Sequence, residues 1–343
     1  MTNNFGSTLT NNGTLNNNNI LTNDGTLSFQ SGSTFTNTGT LNNNNGGVIE
    51  SYIDDLYFNL GTTNHNEGSE FINYANMTNS GFLTNASGVK LTNARTLTNK
   101  LFLTNAGTLT NSGTLINNLA LTNDGTLANN SDLINDGALI NNNILDNNGN
   151  IIGTGTFTQT AGATINNGSI TQSLISIDGG TLGGSGMING DVNIGDLGSV
   201  NPGNSPGALT INGDFTSSGI FNVEIGGLLA GTEYDVLDVT GIANLGGTLN
   251  VDFFDLGGGL FDASLGNTFD ILSAESMTGQ FDLFTLAMLG NGLDWQLDYL
   301  IDFSGTTDIV RLSVVSAVPV PASVWLFSSG LLGLIGVARR KKT

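Results

Sequence analysis

Apolar residues recur every six positions without a slip at Leu91, Leu97, Leu103, Leu109, Leu115, Leu121, Leu127, Leu133, Leu139, Leu145, Ile151 and Phe157. An amphipathic helix would space them near 3.6 residues, so this beat excludes one. The unit reads L-T-N-x-G-T, as in Leu121-Thr122-Asn123-Asp124-Gly125-Thr126. Thr-Leu-Thr is a short β segment whose Leu points one way and whose Thr side chains point the other. Threonine, being β-branched, suits a strand. The Asn-x-Gly that follows suits a corner, because Gly and Asn tolerate positive φ. One hexad cannot bury its single Leu, but stacked coils can, in columns of Leu over Leu at ~4.8 Å per rung. The pattern therefore predicts a parallel β-helix with three hexads, about 18 residues, per turn. Asn at equivalent corners would stack into an amide ladder, each side chain bonding the coils above and below. Of the 49 Asn, 37 fall within residues 1–150, where that ladder would run.

The earlier copies are looser. Leu9, Leu15, Leu21, Leu27, Phe35 and Leu41 keep the beat with a two-residue slip after Leu27, and a further slip lies between Leu83 and Leu91. Residues 50–80 interrupt the beat with an acidic, aromatic run from Glu50 to Phe58, followed by His65, Glu67 and Glu70. This stretch reads as a loop or a decorated coil on one face of the solenoid. The functional alternative is a patch of carboxylates around the only His.

Charge narrows the function classes. Only 10% of the 343 residues are charged, against roughly 25% in an ordinary domain. The 28 acidic and 8 basic side chains give a net −20, and four of the basic ones lie at 339–342. A chain this anionic cannot neutralise phosphates, so nucleic acid is excluded as a partner, as is attraction of the body to anionic lipid. The absence of Cys removes disulfides, thiolate metal ligands and cysteine nucleophiles. Within residues 1–310 the basic side chains are Lys90, Arg95 and Lys100 alone, a thin supply for a polysaccharide lyase. A hydrolase needs paired carboxylates on one face, and the regular hexads offer few acids. Asp24, Asp124 and Asp136 occupy the x of N-x-G turns, yet neither the G-G-x-G-x-D nonapeptide nor an EF-hand loop is present. No catalytic residue, metal or cofactor is expected. A β-helical polysaccharide lyase or hydrolase is the alternative.

From about residue 175 Asn falls while Phe, Val and Asp rise. Residues 179–192 read G-G-T-L-x-G-x-G-x-I-x-G-D-V, and residues 201–215 read N-P-G-N-S-P-G-x-L-T-I-N-G-D-F, with two Pro-Gly turns. Together with Tyr234 to Gly241, Leu245 to Val251 and Gly266 to Leu272, these strings resemble the C-terminal part of autotransporter and related β-helical passenger proteins. The resemblance implies a β-helix continuing into a broader β cap, and it implies no catalytic residues. The hexads are also closer to right-handed adhesin-passenger coils than to the left-handed hexapeptide helix of acyltransferases, so the right hand is favoured. The chain departs from autotransporters in that the 28 residues after Val315 cannot form an outer-membrane barrel.

The last segment carries the sharpest signal. Val318-Pro319-Val320-Pro321-Ala322 leads into an uncharged apolar run to Ala338, closed by Arg339, Arg340, Lys341 and Lys342. Residues 322–338 are just long enough to span a bilayer as a helix at ~1.5 Å per residue, with Trp325 near one end as an interfacial anchor. The basic cluster would stay cytoplasmic, leaving residues 1–320 outside the inner membrane. This order resembles the PEP-CTERM sorting signal of Gram-negative bacteria in its V-P-x-P-A variant. Pro319, Pro321 and Ala322 match; Val320 stands where the commonest form has Leu or Glu. The resemblance implies processing by an exosortase, with Val318 to Ala322 as the recognition segment and Arg339 to Lys342 as the stop, and release to the cell surface or the exopolysaccharide matrix. Met1 to Gly6 already has the repeat texture, so a signal peptide and an N-terminal cap are expected to be missing from this chain. The expected organisation is thus an Asn/Thr/Leu solenoid over 1–175, a β-helix continuation and β-rich cap over 176–316, and a sorting signal over 317–343. The expected protein is a non-catalytic, adhesin-like or exopolysaccharide-associated surface solenoid.

Overall fold

The computed structural model describes residues 1–52, 56–290, 292–303, 305 and 307–317. Over these residues the chain is all β, a parallel solenoid of about 11 turns without a helix. Up to Asn166 each turn carries three strands, mostly of four residues, and each strand pairs in parallel with the third strand after it. Leu91, Leu109, Leu127 and Leu145 are in register on one face. Leu97, Leu115, Leu133 and Ile151 line up on the second, and Leu103, Leu121, Leu139 and Phe157 on the third. The rungs are 18 residues apart here, as three hexads require.

Each strand turns two side chains inward, the Leu and the Asn that ends it, while the flanking Thr positions face outward. The Asn side chains are therefore fully buried rather than corner decoration. Through the regular coils the Nδ2 donates to the Oδ1 of the Asn one coil further on and to a main-chain carbonyl of the next rung. Asn99, for example, donates to Asn117 at 2.9 Å and to the Ala120 carbonyl at 2.7 Å; Asn117 donates to Asn135 at 2.8 Å and to the Ala138 carbonyl at 2.9 Å. The amide thus ties each rung to the next through both the Asn ladder and the main chain.

The corners correct one expectation. In the regular coils the corner glycines such as Gly113 and Gly125 do not adopt positive φ, and neither does any Asn. Space dictates glycine instead: a Cβ on Gly125 would run into the carbonyl oxygen of Gly107 one coil below. In the looser early coils left-handed glycines mark the two-residue slips. These are longer corners in which Gly32, Gly46, Gly68 and Gly88 have φ of +81°, +81°, +78° and +76°. The strands on either side keep their stacking, so rungs in this part are 20 or 22 residues apart.

Residues 169–202 form two 16-residue strands, Ser169–Gly184 and Met187–Pro202, the first pairing with strands on all three faces of the preceding coil. The inward amides end here. Ile175, Ile177, Val192, Ile194, Phe215, Phe221 and Leu249 fill the interior instead. Rungs lengthen to 23, 28 and finally 35 residues. The described residues finish in antiparallel pairing: Thr268–Ala274 with Asp308–Ser316, and Asp308–Ser316 with Leu293–Leu300. Trp295 and Phe269 pack at 5.9 Å in that sheet, and Arg311 pairs with the Asp270 carboxylate through both Nε and a terminal nitrogen. Among the described residues no helix is long and apolar enough to cross a membrane. The sorting-signal residues Val318, Pro319, Val320, Pro321, Ala322, Arg339, Arg340, Lys341 and Lys342, and the span 322–338, lie outside the described residues.

Candidate functional site

The described residues of the stretch 50–80 stay within the coils. Ile49, Tyr57, Thr63, Phe71 and Met77 take the interior places held elsewhere by Leu. Phe29, Phe35, Tyr57 and Phe71 pack ring against ring at 4.9–5.9 Å, and the longer coils accommodate these bulkier side chains. Burial pushes the Tyr57 phenol above its ordinary value; a Thr63 hydroxyl 3.4 Å away partly offsets this.

His65, Glu67 and Glu70 are not brought together. His65 is fully buried in the Asn column, in register with Asn43 before it and Asn85 after it. Its ring stacks on Phe71 at 4.9 Å, and neither ring nitrogen has a hydrogen-bond partner among the described residues. Burial drives its pKa down to about 3, so it is neutral. The ladder breaks on both sides of it. Asn43 donates only to main-chain carbonyls, and the Oδ1 of Asn85 is left without a donor. Glu67 is exposed at a corner and Glu70 faces outward in register with Lys90. Lys90 and Lys100 are exposed, on different sides of the coil. Asp24, Asp124 and Asp136 each accept a hydrogen bond from the following coil, from Asn44, Asn142 and Thr154. No group of three His, Asp or Glu among the described residues could hold a metal ion.

Two concave features among the described residues bear on function. The first is a cleft of about 450 Å³ lined by Glu50, Tyr52, Ile72 and Tyr74. Glu50 and Ile72 are lateral neighbours on consecutive rungs, with Tyr52 and Tyr74 at the corner that follows them. The two tyrosine rings stack at 6.4 Å and 24°, and the Tyr52 hydroxyl donates to Glu50 Oε2 at 3.0 Å. That hydrogen bond and the carboxylate charge raise the Tyr52 pKa.

The second is a polar cavity of about 240 Å³ bounded by the Pro202–Gly207 turn, Asn201, Asn222, Asn250, Glu224, Asp235 and Asp252. Burial pushes Asp235 up to about 7. Both its oxygens accept main-chain N–H groups, Gly207 at 2.7 Å and Glu224 at 2.8 Å. A general acid must aim its proton at substrate; this carboxyl instead clips the Pro-Gly turn to the strand Ile220–Ile225. Sequence reading passed over Asp235 because one Asp in an acidic, alternating stretch carries no spacing signal. The Tyr52–Tyr74 pair had one: the residues are one 22-residue coil apart. No protein-family model and no curated protein matches the chain.

Proposed function

We propose that this chain is an exported, non-catalytic surface or extracellular-matrix protein, adhesin-like or associated with exopolysaccharide. The observation that carries this reading is the lateral surface of the solenoid. Outward side chains form polar ladders from coil to coil, including Asp24–Asn44–Asn66, Asp124–Asn142–Thr160 and Asp132–Asn150–Ser169. Such rows present amides, hydroxyls and carboxylates at the rung spacing, a surface matched to the hydroxyls of a polysaccharide laid along it. The solenoid is right-handed in this reading, with a β-rich cap at its C-terminal end. Residues 317–343 act as the sorting signal in this reading: an exosortase recognises Val318 to Ala322, the helix 322–338 holds the chain transiently in the inner membrane, and Arg339 to Lys342 stay inside.

The test is to follow the protein in a Gram-negative cell with an internal epitope tag and to determine the C-terminus of the released form by mass spectrometry. A product in the envelope or matrix ending near residue 320 is expected. Retention of Arg339 to Lys342 in the inner membrane overturns the sorting reading. The alternative is a β-helical polysaccharide-acting enzyme; release of reducing ends or unsaturated products from a polysaccharide panel would establish it.

A further inference from the structure

We infer that the cleft formed by Glu50, Tyr52, Ile72 and Tyr74 is a binding site for an uncharged hexopyranose chain. The inference rests on the reading of the protein as glycan-associated and names where, and to which glycan class, it binds. Along the column of Tyr52 and Tyr74 the positions one coil before and one coil after are Gln30 and Ala94. Along the column of Glu50 and Ile72 they are Ser28 and Thr92. Both rings remain exposed, Tyr52 at 39% and Tyr74 at 44%; a second exposed pair, Phe82 and Phe102, also stacks on consecutive rungs, but the tyrosine pair differs in carrying hydroxyls and in having the Glu50 carboxylate hydrogen-bonded at its edge.

The chemistry of the cleft fits a pyranose. Aromatic faces take up the C–H face of a sugar ring, and Ile72 extends that apolar floor. Glu50 spends one lone pair on Tyr52 and keeps others for sugar hydroxyls. Consecutive rungs offer consecutive contacts to a chain running along the axis. Charge selects the class. The net −20 of the chain repels uronate polymers, and a polycation would adhere to so anionic a chain without any built site, so the glycan class for which the aromatic cleft itself decides binding is the uncharged one.

The test is affinity gel electrophoresis of the full chain in mild detergent. The probes are neutral polymers (β-glucan, dextran, galactan and mannan), polygalacturonate and chitosan. At least one neutral polymer is expected to retard the protein and polygalacturonate is not. Tyr52→Ala and Tyr74→Ala should each weaken binding roughly tenfold, the scale of one lost stacking face. Tyr52→Phe and Tyr74→Phe should retain most of it, and Glu67→Gln, at a corner outside the cleft, should change nothing. Circular dichroism of each variant checks the fold. Retardation that survives both alanine variants overturns the site and leaves glycan association standing. Retardation by chitosan or polygalacturonate alone overturns the ligand class. Retardation by none of the polymers overturns the site and the glycan reading together. A dimer in sedimentation that the alanine variants dissociate makes the cleft a self-association surface and also overturns the proposal.

Discussion

The solenoid fills its interior in two ways. Up to Asn166 each face contributes one apolar column and one amide column, and the coils hold to a tight repeat. From Ser169 the amides are replaced by Ile, Val and Phe, and the rungs grow from 18 to 35 residues. An amide ladder is a chain in which each Asn serves as donor to the next rung and acceptor from the last. A rung that changes residue type leaves partners on both sides unsatisfied in a dry interior. That is a strong reason for a sequence to repeat. Apolar columns demand only matching volume, so the second region can vary its residues and insert turns such as Pro202–Gly207. The three ladders end by handing over to longer or main-chain partners: Asn135 to Gln172, Asn141 to Gln159, and Asn166 to the Met187 carbonyl.

The contrast can be broken most directly at Asn117. Replacing it by Ala strips partners from the Asn99 amide, the Asn135 Oδ1 and the Ala138 carbonyl, and is expected to cost about 3–6 kcal/mol in denaturant unfolding. Ile194→Val, equally buried in the second region, is expected to cost only about 1 kcal/mol. Equal losses would show that the amides contribute no more than packing.

His65 is the ladder's own natural break and sharpens the comparison. Its folded pKa of about 3 lies below the unfolded 6.5, so its contribution is fully present above pH 6.5 and is lost as pH falls toward 3. The loss approaches about 5 kcal/mol at most. His65→Asn reinstates a donor for Asn85 Oδ1 and removes the charging group. The variant is expected to be more stable than the parent, with the gain largest near pH 4. Melting curves at pH 7.5 and pH 4 measure it; parallel shifts at the two pH values would mean that His65 does not titrate into the unfolded state.

In the second region the corresponding weak point is Asp235. Asp235→Ala leaves the Gly207 and Glu224 N–H groups without acceptors and should cost about 2–4 kcal/mol, read locally as faster amide exchange at those two residues. The titration runs opposite to that of His65. With a folded pKa of about 7 against 3.8 unfolded, the stabilising contribution is present below pH 3.8 and is lost as pH rises through 7. The alanine variant should lose that slope.

The six-residue beat was enough to predict parallel coils, the 18-residue rung, Leu-over-Leu columns and an amide ladder, because each follows from burying one apolar side chain per hexad in a stack. It misled at the corners, where close approach between coils, rather than positive φ, demands glycine. Over residues 50–80 it left a loop and a decorated coil open, and the described residues are the coil, with the hexad's Leu exchanged at Tyr57 and Phe71 for aromatic side chains. The candidate cleft was legible only as an aromatic, acidic run. The 22-residue separation of Tyr52 and Tyr74 becomes a signal only once the corner lengths are known, and the same knowledge is needed to see that Tyr57 turns inward, since a strand alternates faces and a corner shifts which residue comes next. Tertiary structure alone decided that His65 interrupts an amide column and that both Asp235 oxygens are tied to the main chain. Repetition is written locally, one hexad at a time. The partners of a side chain lie a full coil away, at separations set by how many residues each corner happens to hold.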